Sequence, residues 1–215
     1  MRQAAILSVL TVSVMLAAIE TSEVLAQTAV ESAYSPIDLY TTKKSCRKLS
    51  KATEDEEFGQ RWRCPGVGGV DVFVHYEDAR DYLAYGRRGK QESNVFGLAP
   101  IGGVRETMEW RSRKDAKGKL QPFATISRMA FENDKVDKAD WWSLLIVTRL
   151  ASPLKNSCVV GYVDARANSD ANELARRVAD SWAADATRPC PPDREAPFVG
   201  KVAGAWKDKA TTTAP

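Results

Sequence analysis

The sequence predicts an α+β domain: an antiparallel sheet of about six to seven strands, one C-terminal helix packed on it, and two disulfides. Three observations predict it. Residues 141–150, WWSLLIVTRL, are almost continuously apolar and rich in β-branched and aromatic side chains, as a strand buried on both faces requires. Residues 70–76 and 104–113 instead alternate, as strands with one covered face do. Finally Ala171, Leu174, Ala175, Val178 and Trp182 recur at the 3/4 spacing of a single helical stripe.

The chain begins with Met1-Arg2, an apolar run from Ala4 to Ile19, and Val24-Leu25-Ala26 ahead of Gln27. That is the grammar of a secretory signal peptide over residues 1–26, cleaved after Ala26. The run of roughly 16 residues is short for a membrane span, so no span is expected after cleavage. The expected compartment is the periplasm or the exterior. Residues 27–41 are polar and mixed, with Pro36 interrupting them, and read as a flexible lead-in to a single domain over residues 42–190.

Within the domain, the acidic run Glu54 to Glu57 reads as a solvated loop, and residues 60–64 as a short strand ending at Cys64. Pro65-Gly66-Val67-Gly68-Gly69 is a turn rather than a phosphate loop, because it precedes a strand and lacks a trailing Gly-Lys-Ser/Thr. On the next strand Val70, Val72, Val74 and Tyr76 share one face; Asp71, Phe73, His75 and Glu77 share the other. Residues 81–88 form its hairpin partner, and Arg87-Arg88-Gly89-Lys90 a basic turn. The glycine-rich loop 97–103 is the connection best suited to a functional role, since binding residues favour loops over a rigid scaffold. Val104, Glu106, Met108 and Trp110 alternate with Arg105, Thr107, Glu109, Arg111 and Arg113, and the second set reads as a wet, charged face. Residues 120–131 are the next strand, followed by a polar loop and the apolar run 141–150.

Residues 152–157 supply turn chemistry, and Cys158 to Val163 pairs back as a hairpin. The helix follows from about Ser169 to Ala184. Asn168, Ser169 or Asp170 can cap it, with Glu173 completing a capping-box pattern, and Arg176, Arg177, Asp180 and Asp185 on its outer side. The strand advances roughly 20 Å and the helix returns roughly 24 Å. A helix doubling back along the sheet therefore brings Cys190 beside Cys158 and leaves Cys46 with Cys64. An even cysteine count in an exported chain favours disulfides. Residues 191–215 have no periodicity and read as a disordered tail, in which Phe198 and Trp206 could dock on the domain or on a partner.

The quoted elements, namely Cys46, Trp62-Arg63-Cys64-Pro65-Gly66-Val67-Gly68-Gly69, Pro122 to Ile126, Val159 to Asn168 and Ala171 to Ala175, resemble a group of small exported proteins of rhizobia and related bacteria. The resemblance covers roughly residues 40 to 190. It implies compartment and lineage, and carries no activity and no functional residue across.

Catalytic grammar is missing from the sequence. A net charge of +3, spread along the chain, is no nucleic-acid footprint. No C-x-x-C occurs and His75 is the single histidine, so no metal site is expected, and no motif for a cofactor is visible. No G-x-S-x-G surrounds a serine. His75 near Asp71, Glu77 or Asp78 is the one conceivable general base, and Trp62, Trp110 and Trp141 fit core packing better than a ligand platform. The favoured expectation is a non-enzymatic binding or accessory protein of the cell envelope. Its rivals are an envelope-polymer hydrolase using carboxylates gathered by folding, and an inhibitor of an exported enzyme.

Overall fold

The structure is a computed structural model, and it describes residues 29–39, 45–49, 59–87, 93, 102–132, 141–183, 185, 187–192 and 195–203. The signal-peptide segment, the acidic run 54–57, most of the loop 97–103 and Trp206 lie outside the described residues.

Among the described residues nine strands form one sheet: β1 (Glu31–Pro36), β2 (Arg47–Lys48), β3 (Gln60–Pro65), β4 (Asp71–Glu77), β5 (Arg80–Gly86), β6 (Gly102–Lys114), β7 (Leu120–Glu132), β8 (Trp141–Arg149) and β9 (Cys158–Asp164). They run in the order β2 to β9, with β1 pairing antiparallel to β6. All neighbours are antiparallel except β5 and β6, which meet through the single parallel pair Arg80 and Gly102. The sheet thus consists of a hairpin half, β2 to β5, joined by a narrow seam to a longer half, β6 to β9. A helix, α1 (Ala171–Val178), follows and widens into a π-type turn over Ala179–Ala183.

The apolar run 141–150 makes β8, flanked by β7 and β9 on its two edges. Its two faces feed two cores. Leu145 and Val147 pack with Ala124, Ile126 and Val160 against Ala171, Ala175 and Val178 of the helix. Leu144 and Ile146 join Met129, Phe131 and Tyr162 on the opposite face. The helix sits close because Gly161 lies beneath it: a Cβ there would come within 2.9 Å of Val178 Cγ1. A third core gathers Val70, Val72 and Val74 of the predicted apolar face of β4 with Tyr85, Met108 and Trp110, and Asp71 and Phe73 of its other face are buried too. Inside it, the Trp110 indole donates to Ser35 Oγ at 2.8 Å and Thr125 Oγ1 bonds Tyr85 Oη at 2.7 Å, giving the buried polar groups partners.

Both disulfides are the predicted ones. Cys46 pairs with Cys64, and Cys158 with Cys190, with Cα separations of 4.1 and 6.0 Å.

The structure goes beyond the expected strand count and departs from four further expectations. The six-to-seven-strand count becomes nine because β1 and β2 carry no apolar pattern. Residues 31–36, inside the segment read as a flexible lead-in, are held by backbone pairing to β6, which needs no alternation. β2 has only two residues, both exposed, next to the Cys46 crosslink. Part of the segment read as a disordered tail is ordered: Tyr162 and Phe198 form a parallel bridge, and Ala196, Phe198 and Val199 are buried. Phe198 therefore docks on the domain itself, 5.2 Å from the Tyr162 ring.

The second face of β6 is wet only at its start: Arg105 and Thr107 are exposed, whereas Glu109 and Arg111 are buried. The β6–β7 register slips between Val104 and Met108 and again after Arg111, so strict alternation fails there. Glu109 and Arg111 are each only 8% exposed. They meet the side of the helix read as outward: Arg176 Nε donates to Glu109 Oε1 at 2.7 Å, and Arg111 grips Asp180 at 2.8 and 2.7 Å. The capping box also does not form. Asp170 occupies the N-cap without a side-chain cap bond, and Asn168 instead holds the Lys201 backbone through both its amide atoms.

Candidate functional site

The sequence candidates disperse. His75 pairs across to Tyr82 on the β4–β5 hairpin, and of the acids near it in sequence Asp71 is engaged by Arg63 at 2.7 Å and Asp78 by Arg80. Trp62 and Trp110 are buried in the hairpin-half core, as expected of packing residues. Of the glycine-rich loop, only Gly102 and Gly103 are described, and they open β6.

A groove that sequence reasoning missed lies at one end of the sheet. It encloses about 670 Å³, within the roughly 300–1,000 Å³ of small-molecule sites. Four stretches close around it: Val70 just before β4, Arg87 just after β5, the start of β7, and the β8–β9 turn. Val70, Pro122, Leu150 and Leu154 supply apolar wall, while Arg87, Gln121, Ser152 and Lys155 supply polar groups.

Local structure holds each wall in place. Gly68 adopts φ +62, a conformation open to glycine, and a Cβ there would meet Pro122 Cδ at 2.5 Å and the Leu120 carbonyl at 2.7 Å. The glycine turn can therefore lie directly on the start of β7. Its carbonyl then accepts Arg87 Nη1 at 2.8 Å, which fixes the guanidinium at the groove. Opposite, the 150–157 turn is braced from within. The Leu150 amide donates to the Phe123 carbonyl at 2.8 Å, Asn156 N to Pro153 O at 3.1 Å, and Ala151 N to Ser157 Oγ at 3.1 Å. Cys158, at the end of that turn, is tied to Cys190. The wall is formed in advance of any ligand.

Its electrostatics are one-sided. Arg87 and Lys155 contribute two positive charges, and no acidic side chain lines the groove among the described residues. Arg87 spends one donor on Gly68 and keeps the rest of its fork. Arginine presents five N–H donors, so capacity for a carboxylate or phosphate remains. Chemically the groove can hold a ligand that is anionic at one end and apolar along its body. The signal missed in the sequence was the pairing of the glycine turn with Arg87, nineteen positions apart.

Comparison with family models, with curated proteins and with solved structures finds no match to this chain.

Proposed function

We propose that this chain is an exported, non-enzymatic binding protein of the cell envelope, whose groove takes an anion with a short apolar body. One observation carries the reading: Arg87 and Lys155 stand uncompensated by any lining acid over an apolar floor of Val70, Leu150 and Leu154. Export is supported by the signal-peptide grammar of residues 1–26 and by four cysteines joined in two crosslinks. Among the described residues, no helix is long and apolar enough to cross a membrane.

Calorimetry on the purified, disulfide-intact chain tests this with decanoate against a neutral alkyl glucoside of similar chain length. Decanoate should bind at least about tenfold more tightly, and Arg87→Gln should remove about tenfold, roughly 1.4 kcal/mol, as loss of one charge-assisted contact does. Equal binding of the two ligands, or none, overturns the proposal. Release of soluble fragments from purified envelope polymer would favour the hydrolase reading instead.

A further inference from the structure

We propose a second and separate binding site, for a small tetrahedral oxyanion of phosphate or sulfate type, in the cleft between α1 and β6–β7. It centres on Arg128, six residues along β7 from Pro122, or roughly 20 Å of strand from the groove. The cleft holds about 270 Å³ and is lined by Tyr34, Thr107, Arg128, Asn172, Glu109 and Arg176.

Arg128 is a half-buried cation without a counter-ion among the described residues. Its guanidinium donates to Ser143 Oγ at 2.9 Å and to Asn172 Oδ1 at 3.0 Å, both neutral acceptors. Burial first, and then the neighbouring charge of Arg105, hold its pKa below the ordinary arginine value. A desolvated charge is ordinarily paired, and this one faces a like charge instead.

The register slip in β6 explains the placement. Three residues, Arg105, Glu106 and Thr107, fit between the partners of Met129 and Ser127, so they bow out opposite Arg128. Bulges of this kind re-aim side chains and concentrate next to functional sites. The carboxylate in the wall is already spent: Glu109 accepts Arg176 at 2.7 and 3.3 Å and Ser32 at 2.5 Å. Arg176 Nη2 also donates to Tyr34 Oη at 3.2 Å, which leaves the tyrosine O–H free to donate in turn. Donors thus converge from β1, the β6 bulge and β7, a three-sided arrangement that suits a tetrahedral oxyanion. They leave a net positive charge that the Glu109–Arg176 pair does not cancel.

The test is calorimetric and thermal titration of the full, disulfide-intact chain at constant ionic strength. The probes are inorganic phosphate, sulfate and glycerol 1-phosphate, with chloride as control. Phosphate or sulfate should bind and raise the melting temperature where chloride does not. Tighter binding of glycerol 1-phosphate would identify a phosphomonoester as the source, and equal binding the free ion. Arg128→Met should weaken binding at least tenfold while melting no lower than wild type in chloride, because it removes an unpaired charge. Arg105→Gln, on an exposed position, should weaken it about threefold and keeps the test open should Arg128→Met fold poorly. The loss caused by Arg128→Met should be the same in an Arg87→Gln background, which separates this site from the groove. No binding of any oxyanion to the wild-type chain, or undiminished binding to both the Arg128 and Arg105 variants, overturns the proposal.

Discussion

Replacing Asp81 by Asn should stabilise this protein at neutral pH and change little in acid. Asp81 lies on β5, beside the seam where the two halves of the sheet meet, and is 5% exposed. Its Oδ2 accepts the Val104 amide at 2.9 Å, while Oδ1 has no hydrogen-bond partner among the described residues. Burial pushes its pKa from 3.8 up to about 6, partly offset by the Val104 bond. A carboxyl raised in the folded state holds its proton there at pH values where the unfolded chain has released it. Stability therefore falls as pH climbs through the window between about 4 and 6, and the full penalty persists above it. At about 1.4 kcal/mol per tenfold, the penalty at pH 7 is roughly 3 kcal/mol. Asparagine keeps an acceptor for Val104 and carries no charge, so about 2 kcal/mol should return at pH 7 once the cost of burying its amide is allowed for. Urea denaturation of the wild type and Asp81→Asn at pH 4 and pH 7 measures it. A difference between the two proteins that is the same at both pH values refutes the reasoning, as does a variant less stable at pH 7.

Two further outcomes rest on the contacts that join distant segments. Arg176→Met should destabilise by about 2 kcal/mol, less than a fully buried pair because Arg176 is 35% exposed. The loss should shrink when Glu109→Gln is already present, as a double-mutant cycle by chemical denaturation would register. Removing the Cys158–Cys190 crosslink, which closes a 32-residue loop, should cost about 4 kcal/mol by loop-closure entropy. The 18-residue Cys46–Cys64 loop should cost about 3, so thermal melting of the two serine double variants should rank them in that order.

The parts of the fold legible in the sequence were those written in side-chain periodicity. Trp141 to Leu150 read as a doubly buried strand, and Val70, Val72 and Val74 showed a face that packs into a core. The helix stripe from Ala171 to Trp182 chose its own partner surface, and the distance it travels paired Cys158 with Cys190. What escaped was carried by backbone or by broken period. Glu31 to Pro36 pairs through main-chain bonds that polar residues make as well as apolar ones. Glu109 and Arg111 read as solvated because alternation was extended through a bulge that the sequence does not mark, and their partners Arg176 and Asp180 lie more than sixty positions away. Phe198 reached Tyr162 across a stretch with no period at all. Both candidate sites fall in this second class. The groove depends on Gly68 seating Arg87, and the cleft on an arginine whose meaning lies in the carboxylate it lacks.

The groove is tested most directly by mapping backbone amide shifts while decanoate is titrated into the isotopically labelled chain. Saturable shifts confined to Gly68, Arg87, Leu150 and Leu154, and abolished in Arg87→Gln, are the predicted result. Shifts scattered over the surface, or concentrated elsewhere with those four amides still, would contradict it.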